Sequence, residues 1–282
     1  MTPHPHGRML VAHGLGGGVR LLAVSLPGPA QVLAERHNLG PAATKRAAEG
    51  LIATALLSGH IKGDERLTVD FQITSPASAA VFEVHGDGTL RGRFRPEEIR
   101  DQPELFGFLS VAKSFGKREL YRGIAKVDGE NVEAALQRYL TESQQVDARV
   151  RLVADLDEEG RIEYADGCLL ERLPAMDRDR FLAHVEELRD HPKRVMDQLA
   201  LGSFGGEPIE LLGDIELRFA CGCAREKVSG MIRALGAGEI TSMINEQAGA
   251  EVVCHFCNEQ YEFSVADLEA LRDGVADTVG DA

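Results

Sequence analysis

Tryptophan is absent from this 282-residue chain, and aromatic residues make up only 5% of it. That removes the stacking platforms on which proteins hold single-stranded nucleic acid. A basic excess is also missing: 31 Lys and Arg face 45 Asp and Glu, a formal net charge of −14. Such a surface repels phosphate backbones, so no nucleic-acid partner is expected. No run approaches the ~18 uninterrupted apolar residues that a membrane span needs, so no membrane partner is expected either. The first 24 residues are broken by His13, Gly14, Gly16 to Gly18 and Arg20. They lack the charged start, apolar middle and small-residue cleavage site of a signal peptide. The expected location is therefore cytoplasmic, where thiols are kept reduced.

Catalytic motifs are missing as well. There is no Gly-x-Ser-x-Gly elbow and no His-Glu-x-x-His zinc helix. The spacing of Gly14, Gly16, Gly17 and Gly18 fits neither a phosphate-loop nor a dinucleotide fingerprint, and no Lys-Ser/Thr follows it. It reads as a hairpin turn. His4 and His6 read as residues of a frayed terminus. No catalytic residue and no small-molecule cofactor site is expected, and the chain is read as a non-enzyme.

What the chain does have is apolar content sufficient for a core, 44% of its residues, and clear periodicity. Residues 8–25 read as two short strands around the glycine break. Pro29–His37 and Pro41–Lys62 read as helices, the second with Pro41 suited to an early helical position. From Arg66 the period changes to two, with Leu67, Val69, Phe71 and Ile73 on one face. Further strands are expected near 79–84, 89–94, 106–114, 119–127, 148–156 and 161–170, with a helix at 130–143. The fold class that follows is α+β, and its antiparallel N-terminal domain covers 1–173. Residues 174–215 read as a charged helical linker, with helices over Met176–Arg189 and Pro192–Leu201, a loop at Ser203–Gly206, and nothing deeply buried. A small C-terminal domain, 216–282, opens with a short strand at Glu216–Ala220.

Four of the five cysteines fall in that last domain. Cys221-Gly222-Cys223 and Cys254-His255-Phe256-Cys257 are two thiol pairs thirty residues apart. Strand-like sequence flanks each pair, and two helical stretches, 224–235 and 238–247, lie between them. Two close thiol pairs joined by a helical insert can supply a closed tetrahedral thiolate cage, the ligand set of one structural Zn²⁺ per chain. His255 reads as a turn residue beside the metal, and Cys168, in an apolar strand, as a buried thiol. A domain of ~60 residues is marginal without a staple, and structural zinc contributes ~10–16 kcal/mol in small zinc-dependent folds. Losing the metal should unfold the segment, and oxidation removes the thiolate ligands.

Two other functions fit parts of this pattern. Cys254 and Cys257 have the spacing of a thiol-disulfide oxidoreductase, but such enzymes place the pair at a helix start after a strand, whereas Tyr261 and Phe263 indicate that a strand follows. A zinc ribbon for nucleic acid needs a basic face, and residues 216–282 carry 5 basic and 12 acidic residues.

The two cysteine pairs at this spacing resemble the C-terminal signature of the heat shock protein 33 family of redox-regulated chaperones. The resemblance extends to Ala224-Arg225-Glu226-Lys227, Met243-Ile244 and Tyr261-Glu262-Phe263. It continues upstream through His37-Asn38-Leu39 with Pro41, Leu56-Leu57 with Lys62, Arg91-Gly92, Tyr121-Arg122-Gly123, and Tyr139-Leu140 with Glu142-Ser143-Gln144-Gln145. The resemblance implies an ATP-independent holdase, inactive while reduced and zinc-bound. It implies that oxidation releases the metal, pairs Cys221 with Cys223 and Cys254 with Cys257, and unfolds the C-terminal domain. The implied partners are unfolded client proteins, with a homodimer in the activated state.

Overall fold

The computed structural model describes residues 6–102, 104–189 and 191–279, so His4 lies outside the described residues. The chain divides into two compact units, Met1–Ala220 and Cys221–Ala282.

The first unit is built on one large mixed sheet. Its strands are β1 (His6–Gly14), β2 (Val19–Ser25), β3 (Gly63–Ser75), β4 (Ala77–Gly86), β5 (Thr89–Arg95), β6 (Leu105–Phe115), β7 (Arg118–Glu130), β8 (Ala148–Leu156), β9 (Ile162–Arg172), β10 (Ser203–Phe204) and β11 (Glu207–Phe219). They lie in the order β7-β6-β3-β4-β5-β11-β1-β2-β9-β8, with β10 paired to β11. The pairs are antiparallel as expected except where Arg218 and Phe219 of β11 run parallel to Thr89 and Leu90 of β5. Helices α1 (Pro27–Arg36), α2 (Pro41–Leu57) and α3 (Val132–Arg138) come from the same half of the chain. At Gly50 of α2 a Cβ would stand 2.3 Å from the Phe82 ring, so the helix passes closer to β4 than any side chain allows.

Which face a strand buries follows from its period. Leu67, Val69, Phe71 and Ile73 of β3 all belong to the main core, one apolar face as the alternation requires. In β1 and β2 both faces are covered. Met9, Val11, Leu22 and Val24 enter the main core, while Leu10, Ala12, Leu21 and Ala23 enter a second one. That double burial is why these strands read as nearly continuous apolar runs.

The second core overturns the expectation of a shallow linker. Helices α4 (Arg178–Val185) and α5 (Pro192–Ala200) insert Phe181, Val195 and Leu199, each no more than 1% exposed, against the sheet face of Leu21, Cys168 and Leu170. The charged texture of 174–201 described only their outer face. Ser203–Gly206 is not a plain loop either: β10 pairs with Pro208 and Glu207, Gly205 and Gly206 turn the chain at positive φ, and Phe204 is fully buried. The strand expected at Glu216 begins at Glu207 and pairs with β1 along its length, from Gly14↔Ile209 to His6↔Arg218. Thus Glu216–Phe219 are part of the first unit's sheet. His6 is an ordered β1 residue whose Nδ1 lies 2.8 Å from Glu216 Oε1.

The second unit contains α6 (Arg225–Ala234), α7 (Ala237–Gln247), the hairpin β12 (Ala250–Val253) and β13 (Gln260–Phe263), and α8 (Val265–Val279). Its core among the described residues is Val228, Ile232, Ile240, Phe263 and Leu268.

Candidate metal centre

Local backbone structure delivers the thiols in two pieces. Cys221 and Cys223 occupy the extended segment that ends at Ala224, the N-cap residue of α6. Cys254 and Cys257 sit in the loop of the β12–β13 hairpin, whose register is Val253↔Gln260. That loop is tight: the Cys254 amide donates to the Glu259 carbonyl and the Asn258 amide to the Cys254 carbonyl, both at 2.8 Å. Asn258 takes φ 57°, a left-handed position that Asn tolerates. Helices α6 and α7 form the insert that separates the pairs, and both pack on α8.

The four sulfurs converge. Cys221 Sγ is 3.7 Å from Cys254 Sγ, Cys223 Sγ is 3.3 Å from Cys257 Sγ, and all four lie within 4.8 Å of one another. None is in a disulfide. A tetrahedral site with metal–sulfur bonds of ~2.3 Å places its sulfurs roughly 3.8 Å apart, so this donor set fits a thiolate-bound ion. His255, exposed in the hairpin loop, is outside the four-sulfur cluster. Cys168 is in the first unit, wholly buried, and burial foremost pushes its thiol up to about 12.

The surroundings treat the four thiols unequally. Burial opposes ionisation of Cys254, but amide donors from Cys257 and Phe256, together with the neighbouring thiols, bring it down to about 7. Cys221 and Cys257 are held above the ordinary thiol range, in both cases chiefly by burial. Two contacts were not legible in the sequence. Tyr261 Oη donates to Cys223 Sγ at 3.2 Å, and Lys227 Nζ donates to the Gly222 carbonyl between the first two thiols. The alternation Tyr261-Phe263 marked a strand, and the hairpin register is what turns its tyrosine toward a sulfur. Because a strand follows Cys257, the arrangement differs from the helix-start thiol pair of an oxidoreductase.

The family model described as Hsp33 protein matches residues 8–264. The 33 kDa chaperonin of Citrifermentans bemidjiense is 29% identical over 287 residues, 94% of this chain and 96% of that protein. The 33 kDa chaperonin of Bacillus licheniformis is 31% identical, with 92% and 96% covered. Among solved structures, the 33 kDa chaperonin (heat shock protein 33 homolog) of Thermotoga maritima superimposes with a TM-score of 0.82 over 99% of this chain and 100% of that one, at 20% identity, a likeness of fold. The relatives are named as chaperonins, a non-enzymatic function. With the match running from the first strand of the large sheet to the start of the last helix, this chain belongs to the Hsp33 family.

Proposed function

We propose that this chain is a redox-regulated, ATP-independent holdase that binds unfolded proteins and keeps them from aggregating. One Zn²⁺ per chain is held by Cys221, Cys223, Cys254 and Cys257 in the reduced, inactive state. The observation that carries the reading is the convergence of four sulfurs within 4.8 Å in a unit whose core among the described residues has five buried apolar side chains. Bound zinc supplies the folding energy, ~10–16 kcal/mol in small zinc-dependent folds, that so small a core does not.

Oxidation then acts on the thiols alone. Cys221 pairs with Cys223 and Cys254 with Cys257. Forming each disulfide takes two electrons from a thiolate pair, and hydrogen peroxide, accepting them with two protons from solvent, would leave as two waters. The loops so closed contain one and two residues and cannot hold α6, α7 and the hairpin together as a shared metal does. The C-terminal unit, Cys221–Ala282, unfolds and the linker helices α4 and α5 loosen from the large sheet. The apolar surface so exposed holds clients, and the active form is a homodimer. The described residues include no helix long and apolar enough to cross a membrane, and we place the protein in the cytoplasm, where a thiolate cage is kept reduced.

The test uses one sample before and after treatment with peroxide and mild heat. Zinc per chain should fall from one to zero while suppression of aggregation of an unfolding client rises from none to near complete. An oxidised, zinc-free protein that protects nothing would refute the reading.

A further inference from the structure

The first unit contains a cavity that the cysteine switch does not use. Its volume is about 340 Å³, within the ~300–1,000 Å³ of pockets that take small molecules. Leu22 and Leu169 of the paired strands β2 and β9 form one wall, and Leu67 and Val111 of the paired strands β3 and β6 the other. Leu56, at the end of α2, and Tyr139 add to this lining. These six side chains are all buried, none more than 7% exposed, so the floor is apolar.

The wall that carries Tyr139 is irregular. After α3 the chain widens into a π-helical turn, Tyr139–Ser143, and the Gln144 amide donates to the Tyr139 carbonyl. Such turns are rare and recur at functional sites. Here the turn lets Gln144 reach back, its Nε2 donating to Tyr139 Oη at 2.6 Å and to Tyr121 Oη at 2.9 Å.

The mouth is polar, and its charges are already balanced. His60, Lys113, Tyr121, Gln144 and Glu171 stand there. Lys113 Nζ pairs with Glu65 at 2.8 Å, and Glu171 lies 3.8 Å from Arg20, which also donates to His60 and to the Gly59 carbonyl. Partial desolvation, then the charges of Arg20 and Lys113, push His60 down to about 4, so its ring is neutral at physiological pH. An ionic ligand would arrive without a free counter-charge, and a buried charge is costly unless paired. A neutral head that both donates and accepts hydrogen bonds meets Gln144, the tyrosine hydroxyls and Glu171 without breaking either pair.

We propose that this cavity binds a small uncharged amphiphile, an apolar chain or ring bearing one hydroxyl, with its tail on the leucine floor and its head between Gln144, Tyr121 and Glu171. This site is independent of the thiol switch, and its test does not depend on holdase activity.

The reduced, zinc-loaded full chain is titrated calorimetrically with 1-octanol, octanoate and octylammonium. Octanol should saturate one site per chain and bind at least about tenfold more tightly than either ion, whose charge would go unpaired. Leu57→Trp and Val146→Phe, which enlarge half-buried wall residues, should each weaken octanol binding about tenfold or more by filling the space, with the far-ultraviolet circular dichroism unchanged. If one variant misfolds the other decides, and if both do, the head-group series decides alone. No saturable octanol binding, equal affinity for the three heads, or undiminished binding in a folded filling variant overturns the proposal.

Discussion

In the first unit, forty buried residues among those described form one continuous core and fifteen more form a second. In the second unit the corresponding cluster has five, and four sulfurs gather beside it. The large unit follows the common route to stability, in which apolar area removed from water offsets chain entropy. The small one lacks that area, and under the proposed function its fold would rest on a chemistry that can be reversed. A core of leucines has no oxidation state, whereas a thiolate cage does. On the proposed reading, the contrast explains why the sensor would be the smaller unit: a metal-held fold can be dismantled by one chemical event that leaves a hydrophobic core intact.

The strongest way to break this comparison is to strip the metal from reduced protein with a high-affinity chelator. Because structural zinc is worth ~10–16 kcal/mol, against ~5–15 kcal/mol for a whole domain, amide protection should vanish across α6 to α8. Protection in β1 to β9 should persist. A second unit that stays protected without metal would show that its apolar cluster suffices.

Next in size is a test of whether α4 and α5 belong energetically with the large core. Phe181 and Phe82 are both fully buried, one beneath the linker and one in the main core. Phe181→Ala should therefore lose ~3–5 kcal/mol in urea unfolding of the zinc-saturated protein, and Phe82→Ala should lose as much. A loss below ~1 kcal/mol at Phe181 alone would restore the picture of a shallow linker.

A smaller effect is expected beside the sulfurs. Tyr261→Phe removes the hydroxyl that donates to Cys223, and loss of such an outer partner weakens metal affinity by roughly 10–100-fold. Competition against a chromophoric chelator measures it, and unchanged affinity would mean that the hydroxyl does not support the thiolate. The smallest change concerns the N-terminus of α4, where Asp177 accepts from the amides of Asp179 and Arg180 at 2.9 and 3.1 Å. Asp177→Ala should cost ~1 kcal/mol. It should do so at unaltered zinc affinity, which separates linker stability from metal binding.

Much of this was legible in the residue order, for identifiable reasons. Strands such as β3 and the cysteine pairs declare themselves because period two and close thiol spacing are local properties. Helix and strand positions in the first unit followed the same local signals, with the π turn after α3 and the 3₁₀ turn at Ser58–His60 shortening the two helices that had been read through them. The linker was misjudged because its outward charges dominate a short amphipathic helix, and the face that Phe181, Val195 and Leu199 present has no meaning until a sheet lies under it.

By itself, then, the sequence determined which atoms could ligate a metal, that the chain belongs among thiol-bearing α+β proteins, and where most elements start and stop. Each of these depends on neighbours within a few residues. Only the tertiary structure decided that β11 closes the large sheet against β1, that Tyr261 serves a sulfur, and that leucines from α2, β2, β3 and β9 leave a cavity beside the π turn. Those outcomes depend on pairing between residues dozens to hundreds of positions apart, and such pairing is settled by packing the whole chain.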